Sequence, residues 1–291
     1  MNGMTALDQV LQRADLVRVG SVHEAGADGE FRVDLCDPAE SERLRAAMAV
    51  ESLLGTHCMC LGDVRFELFD RDRERLAVVV LHHGAALRWE AWESDAILAD
   101  GHLLLAWLAG HGVSGPMRQF EADRQRAEQE AQEERDWLAA MPAALEGLAE
   151  RILSPSRTGR RPSPELLSEL THRLRLTLPD PVERTLALLH WHGSGSGRHF
   201  GHPLHEDVPG QLLGAVPIAD LLAALTDPRA GDRHDAGAVR HLAGGKTRPD
   251  PKRDIARLPQ PLRARLLAHT RLCADPDEQR RAERWLAPPQ T

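Results

Sequence analysis

Val64-Arg65-Phe66-Glu67-Leu68-Phe69, then Asp70-Arg71-Asp72-Arg73-Glu74, then Leu76-Ala77-Val78-Val79-Val80-Leu81, is the stretch that decides the fold. Val64, Phe66 and Leu68 alternate with polar neighbours, the period of a strand wet on one face. The charged pentapeptide is a turn. Leu76–Leu81 is unbroken apolar and predicts a central strand covered on both faces. Gly84 permits a tight reversal into Leu87-Arg88-Trp89-Glu90-Ala91-Trp92.

Working outward, the same alternation recurs in residues 16–23 and 31–36, joined by a hairpin-type connection at Ala25-Gly26-Ala27-Asp28-Gly29. Helices are expected over 5–14, over 38–49 with Pro38 in the first turn, and over 95–110. The N-terminal part, 1–114, therefore reads as an α+β domain built on a mostly antiparallel sheet. Residues 115–137 form a charged linker helix, since carboxylates and guanidinium groups recur at i,i+3 and i,i+4 spacing with a thin apolar stripe. From 138 to 291 the periodicity is helical throughout. Helices are expected over 138–153, 164–176, 180–191, 209–226, 235–243 and 257–273, with a short one ending at Trp285 and a basic loop over 154–164. This half reads as an all-α, HEAT-like helical array.

Composition bounds the function. The 291 residues carry 36 basic and 44 acidic side chains, a formal net charge of −8. Phosphate backbones would be repelled on average, so neither a nucleic-acid nor a membrane-surface partner is expected. No uncharged apolar run approaches the ~18 residues needed to span a bilayer. Four cysteines are no disulfide framework, and a reduced, cytoplasmic setting is expected.

Three clusters offer chemistry. The first is Thr56-His57-Cys58-Met59-Cys60-Leu61-Gly62-Asp63. On a regular strand Cys58 and Cys60 share a face about 7 Å apart, too far for a disulfide yet able to grip zinc or iron. His57 would point away. The plain alternative is that both cysteines fill a sheet core.

The second cluster is Leu81-His82-His83-Gly84 with Leu87-Arg88-Trp89. His82 and His83 alternate faces on a strand, so at most one is expected beside the cysteines. Cys58, Cys60 and His82 are the candidate metal ligands. Cys58, His82, His83 and Arg88 are the candidate catalytic set, a thiol–imidazole pair with Arg88 holding an anionic substrate. Asp63 or Asp95 could orient an imidazole. This geometry requires strand 56–61 to lie beside strand 76–83.

The third cluster runs from His190-Trp191-His192-Gly193-Ser194-Gly195-Ser196-Gly197 to His205-Glu206. Its glycines suggest a phosphate cradle, but they follow a helix and no Gly-Lys-Ser/Thr comes after them. It reads as a flexible loop, suited to interaction at the edge of a helical array.

The Thr-His-Cys-Met-Cys-Leu-Gly-Asp, Leu-His-His-Gly and Leu-Arg-Trp segments, with the Trp107-Leu108 helix, resemble small uncharacterised proteins of actinobacteria. The second half, with Leu189-His-Trp-His-Gly-Ser-Gly, Val216-Pro217 and Gly237-Ala-Val-Arg, is similar to HEAT-like repeat proteins of the same bacteria. The resemblance spans about 33–113 and 164–287 and implies a fold, with no activity to carry over. The expected function is a non-enzymatic protein-binding scaffold without a cofactor. The alternatives are a metal-binding or thiol-dependent enzyme or sensor, with zinc as the ion, and an immunity or defence-associated protein.

Overall fold

The computed structural model describes residues 3–22, 30–197, 203–243, 251–270 and 276–287. The expected hairpin at 25–29 and Cys273 lie outside these. The chain divides into two compact units, Met1–Glu128 and Gln129–Thr291.

The first unit is α+β. Its elements are α1 (Gly3–Arg13), β1 (Leu16–Ser21), β2 (Phe31–Asp34), α2 (Pro38–Ala47), β3 (Val50–Leu53), β4 (Val64–Phe69), β5 (Arg75–His82), β6 (Ala86–Trp89), β7 (Ala96–Leu98) and α3 (Gly101–Gly110). The seven strands form one antiparallel sheet in the order β2-β1-β4-β5-β6-β7-β3. Val17, Val19, Phe66, Leu68, Val79 and Leu81 project from its inner face into a core shared with Leu7, Leu44, Leu104 and Leu108 of the helices. Asp37 and Asp100 cap α2 and α3 by accepting from Ala39 N and His102 N. Buried Glu40 accepts from Trp107 Nε1 at 2.6 Å, which ties α2 to α3.

Three details differ from the sequence reading. Ala96-Ile97-Leu98 is a strand, and α3 begins only at Gly101, because Asp100 provides the cap. β3 lacks a clear period; it is an edge strand with an irregular register between Val50 and Ser52. β5 is central, yet covered fully on one face only: Ala77, Val79 and Leu81 are buried while Val78 and Val80 stay partly accessible. The outer face of the sheet at Val80 is where the cysteine segment lies.

The second unit is all-helical. α4 (Gly115–Ala139) crosses from the first unit into it, with Phe120 packed on the first core and Trp137 buried in the second. A 3-10 turn over Ala143–Leu148 leads to α5 (Ala149–Arg157), α6 (Pro164–Thr177) and α7 (Pro181–Gly193). α8 (Val208–Leu213), α9 (Ile218–Thr226), α10 (Asp232–Ala243), α11 (Pro251–Ala256), α12 (Gln260–Thr270) and α13 (Pro276–Leu286) follow. The single helix expected over 209–226 is interrupted, since Pro217 at the start of α9 has no N–H for a continuing helix. The basic loop expected from 154 begins later, with α5 running through Pro155 to Arg157.

One glycine of the third cluster, Gly193, serves helix packing. Gly193 and Gly237 sit where α7 crosses α10. A Cβ on Gly193 would come within 1.9 Å of Arg233 O, and one on Gly237 within 2.0 Å of Leu189 O. Just past α7, Ser196 N donates to the Glu206 carboxylate at 2.8 Å, and Arg240 Nη2 donates to it at 2.9 Å. The loop thus cradles an anion of its own chain. His199 and His202 lie outside the described residues.

Candidate functional site

The strand register assembles one side of the site. Arg88 in β6 lies opposite Val80 in β5, so both belong to the outer face, and His82 two residues beyond Val80 shares it. Asp95 precedes Ala96, whose partner Leu87 is on the inner face, so Asp95 also comes out on the outer side. Residues 54–63 cross this face as an irregular loop tied at both ends. Leu54 N donates to Asp95 O, Asp95 N to Thr56 O, and Asp63 N to Leu81 O. Strand 56–61 of the sequence reading does not form.

The bent loop changes the geometry of the cysteines. The Cys58 and Cys60 sulfurs are 3.0 Å apart instead of the 7 Å of an extended chain. His82 Nδ1 lies 3.0 Å from Cys60 Sγ. His83 Nε2 lies 3.4 Å from Cys58 Sγ and 3.3 Å from Cys60 Sγ. Both histidines therefore face the thiols, against the expectation that at most one can. The reason is the turn after β5: His83 has φ 52° and Gly84 φ 66°, with Ala85 N donating to His82 O. Left-handed backbone at both central positions ends the strand's alternation and swings the His83 ring back.

A buried ion pair holds the loop. Asp95 is fully buried and accepts from Arg88 Nε at 2.8 Å, Arg88 Nη2 at 2.9 Å, His57 Nδ1 at 2.9 Å and Cys58 N at 2.7 Å. Arg88 gives two further donors to the carbonyls of Cys58 and Cys60. Arg88, read from sequence as an anchor for an anionic substrate, is engaged by the protein itself. His57 does point away from the sulfurs, toward Asp95.

Gly62 has φ 92°, and a Cβ there would meet Val80 Cγ1 at 2.3 Å and His82 Nε2 at 3.1 Å. That glycine lets the loop descend onto β5 beside the imidazole. His82 is 1% exposed, and its Nε2 is buried without a hydrogen-bond partner.

Electrostatics follow from these contacts. The Cys60 thiol and then its backbone N–H stabilise a Cys58 thiolate, with His83 adding to them, and hold Cys58 down to about 7. Cys60 is pushed up, first by its hydrogen bond with Cys58 and then by burial. Burial lowers His82, and the Cys58 hydrogen bond raises His83. Burial opposes ionisation of Asp95, but Arg88, Cys58 N and His57 together carry it well below the ordinary carboxylate range.

Cys58, Cys60 and His82 offer three ligand atoms within 4.8 Å of one another. Asp63 does not orient a ring: its carboxylate accepts from His83 N at 2.7 Å and pins the turn. His83 was a candidate from the sequence, but its place beside both sulfurs together with His82 was not, because it depends on the left-handed turn that follows β5.

Comparison with known proteins returns no match among family models, curated proteins or solved structures. The chemistry of the cluster therefore rests on its own geometry.

Proposed function

We propose that the N-terminal unit is a metal-binding module that holds one zinc-class divalent cation on Cys58, Cys60, His82 and His83. The observation that carries this reading is the convergence of two thiols and two imidazoles, from segments more than twenty residues apart, within 3.0–3.4 Å of one another along four edges. A tetrahedral zinc ion with Zn–S about 2.3 Å and Zn–N about 2.0–2.1 Å spans donor–donor edges of roughly 3.3–3.8 Å. Those four edges are already near that size, whereas His83 stands outside the close group of Cys58, Cys60 and His82; an ion would part the sulfurs by about 0.8 Å and draw the His83 ring toward His82.

The donor set favours the same class of ion. Two soft thiolates and two imidazoles suit zinc, whereas hard oxygen-seeking ions find no carboxylate here. A two-iron cluster would need the cysteines and histidines to hold different irons, but each imidazole abuts a sulfur. Cys58 and His82 are shifted toward the protonation states a ligand needs, while Cys60 and His83 are shifted the other way and give up their protons to the ion on binding.

Elemental analysis of the purified full chain tests the reading. The expected result is about one zinc per chain, lost in Cys58→Ser/Cys60→Ser. A metal content equal in both proteins would overturn it. A protein-binding role for the helical unit, with HEAT-like stacking, is the second reading. Its support is the run of consecutive helices from Ala149 to Leu286, and not charge, since residues 129–291 carry 23 basic and 22 acidic side chains.

A further inference from the structure

The four donors are not equivalent. Cys58 and Cys60 are clamped through their carbonyls by the Arg88–Asp95 pair, and the His82 ring is sealed beneath Gly62. His83 is exposed, sits on a left-handed backbone and stands outside the close three-ligand group. Beside it is a hollow of about 430 Å³, lined by His83, Asp63, Gly84, Gln119, Phe120 and Asp123 among others. Asp123 is steadied by Gln119 at 2.9 Å and faces Arg126 at 3.2 Å. The lining carries two carboxylates and an aromatic ring, with no basic side chain except His83.

Resting on the metal reading above, we infer that this is a ligand-accepting metal centre and not a closed structural one. Cys58, Cys60 and His82 hold the ion. His83 fills its fourth position reversibly, and the hollow receives a small organic cation whose own donor atom replaces the His83 imidazole. Three fixed ligands and one exchangeable position distinguish reactive zinc sites from structural ones. Asp63, Asp123 and the face of Phe120 select positive charge on the incoming molecule.

Cobalt(II)-loaded protein provides the test, because its visible spectrum reports the ligand set. Histamine is the probe, an imidazole donor bearing an ammonium group, and 4-methylimidazole is its uncharged control. Histamine should shift the cobalt bands with the metal retained, at roughly three- to fivefold lower concentration than 4-methylimidazole, the gain a part-exposed ion pair gives. That preference should vanish in Asp123→Asn. His83→Gly, which keeps the left-handed backbone comfortable, should still bind cobalt and respond to either imidazole at lower concentration than the wild type. If His83→Gly loses cobalt as completely as Cys58→Ser/Cys60→Ser, and histamine leaves the wild-type spectrum unchanged, the centre is closed and this inference fails alone. If the wild type takes up no cobalt, the metal reading itself fails.

Discussion

Gly62 places a harder constraint on the site than any of its ligands. Its φ of 92° and the 2.3 Å approach of a hypothetical Cβ to Val80 mean that even alanine must move the loop away from β5. Left-handed strain costs a β-carbon about 1–2 kcal/mol and overpacking about 1–3 kcal/mol. Gly62→Ala should therefore destabilise the first unit by about 2–5 kcal/mol in urea titration and weaken zinc binding with it; an unchanged midpoint would show that the loop does not rest on Val80. Arg88→Met is a second test at this scale. It strands the Asp95 carboxylate, which is fully buried, and a broken buried pair typically costs about 3–5 kcal/mol. Circular dichroism during denaturation checks that loss, and a cost under about 1 kcal/mol would contradict the clamp.

The residues of the site were legible as a list, yet their arrangement was not. Cys58, Cys60, His82 and Arg88 follow from residue type and spacing. What spacing could not provide is that 56–61 is a bent loop, which brings the sulfurs to 3.0 Å, or that His83 leaves the strand period. Both depend on positive-φ positions, Gly62 and the His83-Gly84 pair, and no apolar period announces them. Asp95 was legible only as one aspartate among many, because its role comes from the register that brings it to Arg88.

At the scale of elements, alternation and capping carried most of the reading. Period-two patterns located β1, β2 and β4, an unbroken apolar run located β5, and Pro38 in the first turn marked α2. In the structure Pro164 and Pro181 open α6 and α7 in the same way, behind the caps Ser163 and Asp180. β3 and β7 were missed, being short strands at one edge of the sheet. The glycine run after His192, read from sequence as a flexible interaction loop, is in part a helix crossing. There, Gly193→Ala or Gly237→Ala would force α7 and α10 apart, since each Cβ would fall about 2 Å from a backbone oxygen. Either substitution should destabilise the helical unit by about 1–3 kcal/mol or more in thermal or chemical unfolding, the cost of overpacking a close contact. A loss below about 0.5 kcal/mol would mean that the helices are not in such close contact.

At the scale of the whole molecule, the two units respond to different solution variables. Among the described residues no single helix is long and apolar enough to cross a membrane. The helical unit contains His192, whose ring is held neutral by complete burial, with Arg240 and His241 adding to the effect; burial lowers His190, His205 and His234 in the same direction. A histidine with a folded pKa below its unfolded value near 6.5 takes up a proton on unfolding, so acid favours the unfolded chain. Stability should be full above about pH 6.5 and fall below it, by up to about 1.4 kcal/mol per pH unit for His192 alone. His192→Gln should flatten that slope in melts between pH 7 and 5, and an equal slope in both proteins would contradict the assignment.

On the zinc reading proposed above, the first unit answers to metal instead. X-ray absorption at the zinc edge of the purified chain reads the central claim most directly. The expected shell has two sulfurs at about 2.3 Å and two nitrogens at about 2.0–2.1 Å. A shell without sulfur, or protein that retains no zinc when supplied with one equivalent, would contradict the account.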